Sequence, residues 1–76
     1  MKTYFVCSYG YECPPEFPTL EAARAYLSNL VSASVMKAKR VSKQSRKHKL
    51  SPDCYKITLG ADSRSTLYAH HSITVA

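Results

Sequence analysis

The stretch Val35-Met36-Lys37-Ala38-Lys39-Arg40-Val41 reads in two ways, and the choice decides how the sheet of this chain is built. As a helix it carries forward an apolar stripe through Val35 and Ala38. As a strand it turns Met36 and Ala38 inward and Lys37 and Lys39 outward. We read it as a strand, because a three-stranded sheet would otherwise have little to cover. The helical reading stays open beside it, and it would wrap Lys37 and Lys39 around a helix.

Immediately upstream the pattern is plainer. Thr19 follows Pro18 as a helix N-cap, with Glu21 in the first turn where the macrodipole favours an acid. Leu20, Ala23, Leu27, Leu30 and Val31 recur at helical spacing, with Arg24 and Ser28 off the stripe. The helix should weaken near Ser32-Ala33-Ser34, whose hydroxyls compete for backbone hydrogen bonds. Before it, Pro14-Pro15 and Pro18 punctuate a connecting loop that starts at Gly10. The first segment, Lys2 to Tyr9, is rich in β-branched and aromatic residues and reads as a strand. We expect Thr3, Phe5, Cys7 and Tyr9 on its inner face and Tyr4, Val6 and Ser8 on the other.

Downstream, residues 42–52 read as a polar, basic loop without apolar spacing. Cys54 to Leu59 then alternates, with Tyr55, Ile57 and Leu59 opposed to Cys54, Lys56 and Thr58. Gly60-Ala61-Asp62-Ser63 supplies turn residues. Thr66 to Val75 alternates again, with Leu67, Ala69, His71, Ile73 and Val75 on one face. The two runs make a hairpin. The expected fold class is α+β, a small antiparallel sheet in the order β-α-β-β-β with one helix packed on one face. Its core would hold Phe5, Cys7, Leu20, Ala23, Leu27, Leu30, Met36, Ala38, Tyr55, Ile57, Leu59, Leu67, Ala69 and Ile73.

At 76 residues and 8.5 kDa the chain has room for one domain, spanning 1–76, and a thin core. A composition 45% apolar with two glycines excludes a disordered or collagen-like chain. No apolar run is long enough for a transmembrane helix or a signal-peptide core, so no membrane partner is expected. Met1-Lys2 leads straight into the first strand, and we expect the chain to begin where translation does. Three cysteines, Cys7, Cys13 and Cys54, are an odd number that argues against a disulfide framework and for a reducing cytoplasm.

Where the net charge of +6 sits matters more than its size. Residues 1–35 set Lys2 and Arg24 against Glu12, Glu16 and Glu21, for −1; residues 50–76 balance at zero. Residues 36–49 hold Lys37, Lys39, Arg40, Lys43, Arg46, Lys47 and Lys49 with no acid, for +7, and His48 lies among them. Such a segment repels itself and gains from meeting a polyanion. If roughly five of these cations contact phosphates, binding falls by more than about a thousandfold from low to moderate salt. The bland alternative is a solubilising loop that keeps the protein monomeric.

With one helix, only one face of the sheet is covered. On the alternation above, the open face shows Tyr4, Lys37, Lys39, Lys56, Thr58, Tyr68 and His70. Tyrosines interleaved with lysines are what a stacking platform for single-stranded nucleic acid uses. Lys, Thr and Tyr are also ordinary cross-strand partners on a solvated sheet. The candidate nucleic-acid or partner-binding residues are therefore Lys37, Lys39, Arg40, Lys43, Arg46, Lys47, Lys49, Lys56, Tyr4, Tyr68 and His70.

Other chemistry finds less support. Cys7, Cys13 and Cys54 with His70 or His71 lack the tight knuckle spacing of a structural zinc site, and no metal or cofactor is expected. The five acids are scattered, and nucleophile elbows and glycine-rich phosphate loops are absent, so we expect no enzyme. The reading is a small, non-catalytic, basic binding module engaging nucleic acid or an acidic or nucleoprotein complex. An edge strand is free to pair two copies into a homodimer. No family motif is matched residue by residue. In size and element order the chain resembles the small accessory proteins of phages and other mobile elements, some of which inhibit CRISPR surveillance complexes. That resemblance implies the alternative: a stoichiometric inhibitor docking on a host protein complex.

Overall fold

A computed structural model describes residues 2–9, 12–60 and 67–76. Its elements are β1 (Tyr4–Ser8), β2 (Glu16–Phe17), α1 (Leu20–Val41), β3 (Arg46–Ser51), β4 (Cys54–Thr58) and β5 (Leu67–Val75). The strands form one antiparallel sheet in the order β2-β1-β5-β4-β3, and α1 packs against β5, β1, β4 and β2. The α+β class with one helix on an antiparallel sheet is as expected. The element order differs: β-β-α-β-β-β rather than β-α-β-β-β.

The deciding stretch is helical. Residues 35–41 complete a 22-residue α1 rather than forming a strand. Ala38 is fully buried, one turn beyond Ser34 on the stripe that runs through Ala23, Leu27 and Val31. Lys39 and Arg40 occupy the last turn, where the helix dipole favours cations, and the Ser42 N–H closes the end by donating to the Ala38 carbonyl. The expected weakening at 32–34 does not occur. The Ser34 hydroxyl is engaged by His71 Nε2 at 2.8 Å and does not compete for the backbone. At the other end Thr19 caps as expected, its Oγ1 accepting from the Ala22 N–H at 3.2 Å. Lys37 and Lys39 therefore stand on a helix, and Met36 is 60% exposed instead of buried.

The faces of β1 are the reverse of those expected. Val6 is buried and Tyr4 packs on the core, while Phe5 and Cys7 lie on the other side. Both faces of this strand are partly apolar, so alternation alone does not choose between them. Register with β5 chooses. Val6 pairs with Ile73 and Ser8 with His71, which sets Tyr4, Val6 and Ser8 beside the inward residues of β5. Leu27, Ile57 and Val6 are the largest side chains sealed inside, each contributing about 1.5–3 kcal/mol by burial. Ala23, Leu27, Leu30, Ala38, Tyr55, Ile57, Leu59, Ala69 and Ile73 sit in or against the core as the sequence implies.

Three further differences bear on the surface. The expected basic loop 42–52 is only a short turn, after which Arg46–Ser51 form β3 and pair with β4. An edge strand with five of six residues exposed has no apolar periodicity to reveal it. The two-residue β2, whose neighbours include Pro15 and Pro18, forms the opposite edge, where proline's missing N–H costs no ladder bond. Between Ile57 and Thr58 the register of β4 on β5 slips, so that Ala69 opposes Ile57 and Leu67 opposes Thr58. The extra residue, Tyr68, packs on the core, and Leu67, expected inside, is 42% exposed. The expected turn 60–63 lies, beyond Gly60, outside the described residues, as do Gly10 and Thr66.

Candidate nucleic-acid interface

With α1 on one face of the sheet, strand parity and register define what the other face presents. Across three strands, His48 on β3 pairs with Lys56 on β4, and Lys56 pairs with His70 on β5. The Tyr9 N–H donates to the His70 carbonyl at 3.0 Å, which brings Tyr9 to the end of the same row. Four adjacent strand positions span about 14 Å at the usual strand spacing. Tyr9 is 82% exposed. One step along the strands, Arg46 pairs with Thr58, and the row on the other side is Cys7, Ser72 and Cys54. The open face thus concentrates Arg46, His48, Lys56 and His70 with Tyr9 at one end.

Hydrogen bonds hold parts of this row in place. His48 Nε2 lies 3.1 Å from Thr58 Oγ1, and His70 Nε2 lies 3.4 Å from Cys54 Sγ. Cys7 Sγ lies 3.4 Å from Thr74 Oγ1, so these two thiols each have a separate polar neighbour. Cys13 is exposed and lines an open cleft of about 230 Å³ with Val6, Ser8, Pro15, Tyr26 and Leu30.

The expected site residues distribute unevenly. Lys56 and His70 are half-buried on the open face, and Arg46 is exposed beside them. Lys47 and Lys49, opposite Ile57 and Tyr55, point instead to the helix side of β3, and Lys47 Nζ sits 5.6 Å from the centre of the Tyr55 ring. Lys37, Lys39 and Arg40 are exposed near the end of α1, and Lys43 is exposed in the turn that follows. Tyr4 and Tyr68 are half-buried against the core and are not on the open face. Tyr9 and His48 also stand on the open face, outside the expected set. The signal for both is strand register, which local alternation does not carry.

Comparison with protein families, curated proteins and solved structures finds no match. The surface has to be read on its own chemistry. Among the described residues one ion pair forms, between Arg24 and Asp53, with Nε 2.7 Å from Oδ1 and a second contact of 3.2 Å to Oδ2. It ties the first half of α1 to the β3–β4 turn. The Arg24 hydrogen bond holds the Asp53 carboxyl below its ordinary 3.8, against a smaller opposing effect of burial. None of the seven cations of 36–49 is paired with a carboxylate among the described residues. No helix among the described residues is long and apolar enough to cross a membrane.

Under the sheet a different polar group is closed off. His71 is 3% exposed, with Nδ1 2.7 Å from Ser8 Oγ on β1 and Nε2 2.8 Å from Ser34 Oγ on α1. Burial, and secondarily the neighbouring His70, lower its pKa from the ordinary 6.5 and favour the neutral ring. A neutral imidazole donates from one nitrogen and accepts at the other, so it satisfies both serines at once. This is a strand–helix tie inside the core.

Proposed function

We propose that this protein is a non-catalytic module that binds nucleic acid, taking a single strand across the open face of its sheet. The observation that carries the reading is the in-register row Tyr9–His70–Lys56–His48 with Arg46 beside it. The exposed tyrosine ring suits base stacking, and the cations suit the phosphates that follow. Lys39, Arg40 and Lys43, at the end of α1 leading into β3, extend the positive field from one side. The contacts are to backbone and base faces, so affinity with little sequence preference is expected.

The test is a salt titration of binding to oligo-dT by fluorescence anisotropy. About five phosphate contacts on a single strand give a log–log slope near −3.5, or about a hundredfold loss for a fourfold rise in salt. Arg46→Glu/Lys56→Glu should reduce the slope by about 1.4. Tyr9→Ala should weaken binding about tenfold or more at fixed slope. Absence of binding at low salt, or variants that bind like wild type, would remove this reading and turn the charge toward a protein partner.

A further inference from the structure

The helix side of β3 carries a second surface that the nucleic-acid reading does not use. Between the edge strand β3 and α1 a groove of about 300 Å³ opens, lined by Val31, Ser32, Val35, Met36 and Lys47. Val31 is buried at its base, Val35 is half-buried, and Met36 is 60% exposed. Lys47 and Lys49 share the helix-facing side of β3, two residues or about 6.8 Å apart along the strand. The outer edge of β3 has no strand beyond it among the described residues. Its alternate N–H and C=O groups point away from β4.

We propose that this edge and groove dock an extended acidic segment of a partner protein, which adds to the sheet outside β3. Each feature restricts the occupant. An open strand edge presents donors and acceptors in alternation, which another peptide backbone satisfies in full. A DNA sugar–phosphate backbone supplies acceptors only and by itself leaves the edge carbonyls unpartnered. Only every second side chain of the added strand faces the helix side, and there it meets both the apolar lining and Lys47 and Lys49, so those positions combine aliphatic groups with carboxylates. A second copy of this chain fits less well. Pairing β3 with β3 sets Arg46, Lys47 and Lys49 of each copy against the same charges of the other. The opposite edge offers only the two residues of β2.

This inference is independent of the oligonucleotide reading, because Arg46 and His48 face the other side of the same strand. The test uses the full chain and fluorescein-labelled octapeptides in which every second residue is drawn from Glu, Asp, Val, Ile and Leu, acidic and aliphatic both present, with Ser or Thr between them. Lys-for-Glu counterparts and alternately N-methylated versions serve as probes of charge and of backbone pairing. At least one acidic peptide is expected to bind at one-to-one stoichiometry. N-methylation on the edge-facing amides should cost it at least about tenfold, as should Lys47→Glu/Lys49→Glu. Met36→Glu, at an exposed position that the fold does not need, should also weaken it several-fold. Oligo-dT should bind without displacing the peptide. Failure of every acidic peptide to bind at about 1 mM overturns the proposal. So does equal affinity for the N-methylated forms, competition by oligo-dT for one surface, or sedimentation as a dimer that Lys47→Glu/Lys49→Glu dissolves.

Discussion

Replacing His71 by alanine should remove about a third or more of the stability of this fold. The imidazole is 3% exposed and bridges Ser8 and Ser34 at 2.7 and 2.8 Å, so truncation leaves two half-buried hydroxyls without their partner. Each lost bond costs about 1 kcal/mol, and the vacated volume about 2 kcal/mol more, for about 4 kcal/mol in all. A chain of 76 residues is stable by about 4–11 kcal/mol. Urea unfolding followed by far-UV circular dichroism should therefore show the midpoint falling by several molar, at a slope near 1 kcal/mol per molar. Ser8→Ala and Ser34→Ala should each lose about 1–2 kcal/mol and still fold. The same bridge fixes a pH dependence. His71 has its folded-state pKa lowered from 6.5, so below pH 6.5 the unfolded chain binds the proton first. Stability should hold above that pH and fall on acidification, by at most about 1.4 kcal/mol per pH unit from this one group. His71→Gln keeps a donor and an acceptor but does not titrate, so its difference from wild type isolates His71 from His48 and His70. A His71→Ala protein within about 1 kcal/mol of wild type, or a His71→Gln difference that is flat from pH 7 to 5, would refute the bridge.

The helical reading of 35–41 separates two neighbours that a strand would treat alike. Ala38→Leu should cost about 1–3 kcal/mol by overpacking a sealed site, whereas Met36→Ala should change the thermal midpoint little; comparable losses at both would restore the strand. Tyr4→Ala should lower stability by about 3 kcal/mol in urea and leave the salt slope of oligo-dT binding unchanged, because this ring packs on the core; reduced slope with unchanged stability would return Tyr4 to the interface. The Arg24–Asp53 contact stabilises the fold above the ordinary carboxylate pKa of 3.8 and is lost as pH falls below it. Asp53→Asn should therefore be less stable than wild type at pH 6 and converge with it near pH 2, and persistent separation at pH 2 would assign the loss to something other than the charge.

By itself the sequence determined the α+β class, the N-cap at Thr19, the apolar stripe of α1 and the inward faces of β4 and the greater part of β5. These rest on local periodicity and on side-chain chemistry within a few residues, and tertiary contacts reinforce them. The concentration of charge in 36–49 was equally plain, since it needs only counting. Tertiary structure alone decided four things. Residues 35–41 are helix because packing on the sheet buries Ala38 and because His71 of β5 holds Ser34 one turn earlier. The faces of β1 follow from pairing Val6 with Ile73, a partner 67 positions away, where either parity would bury some apolar surface. Tyr68 turns inward through a register slip that one strand cannot show. The basic run divides among a helix end, a turn and the two sides of an edge strand, because neighbouring residues of a strand point to opposite faces and only pairing fixes which face is covered.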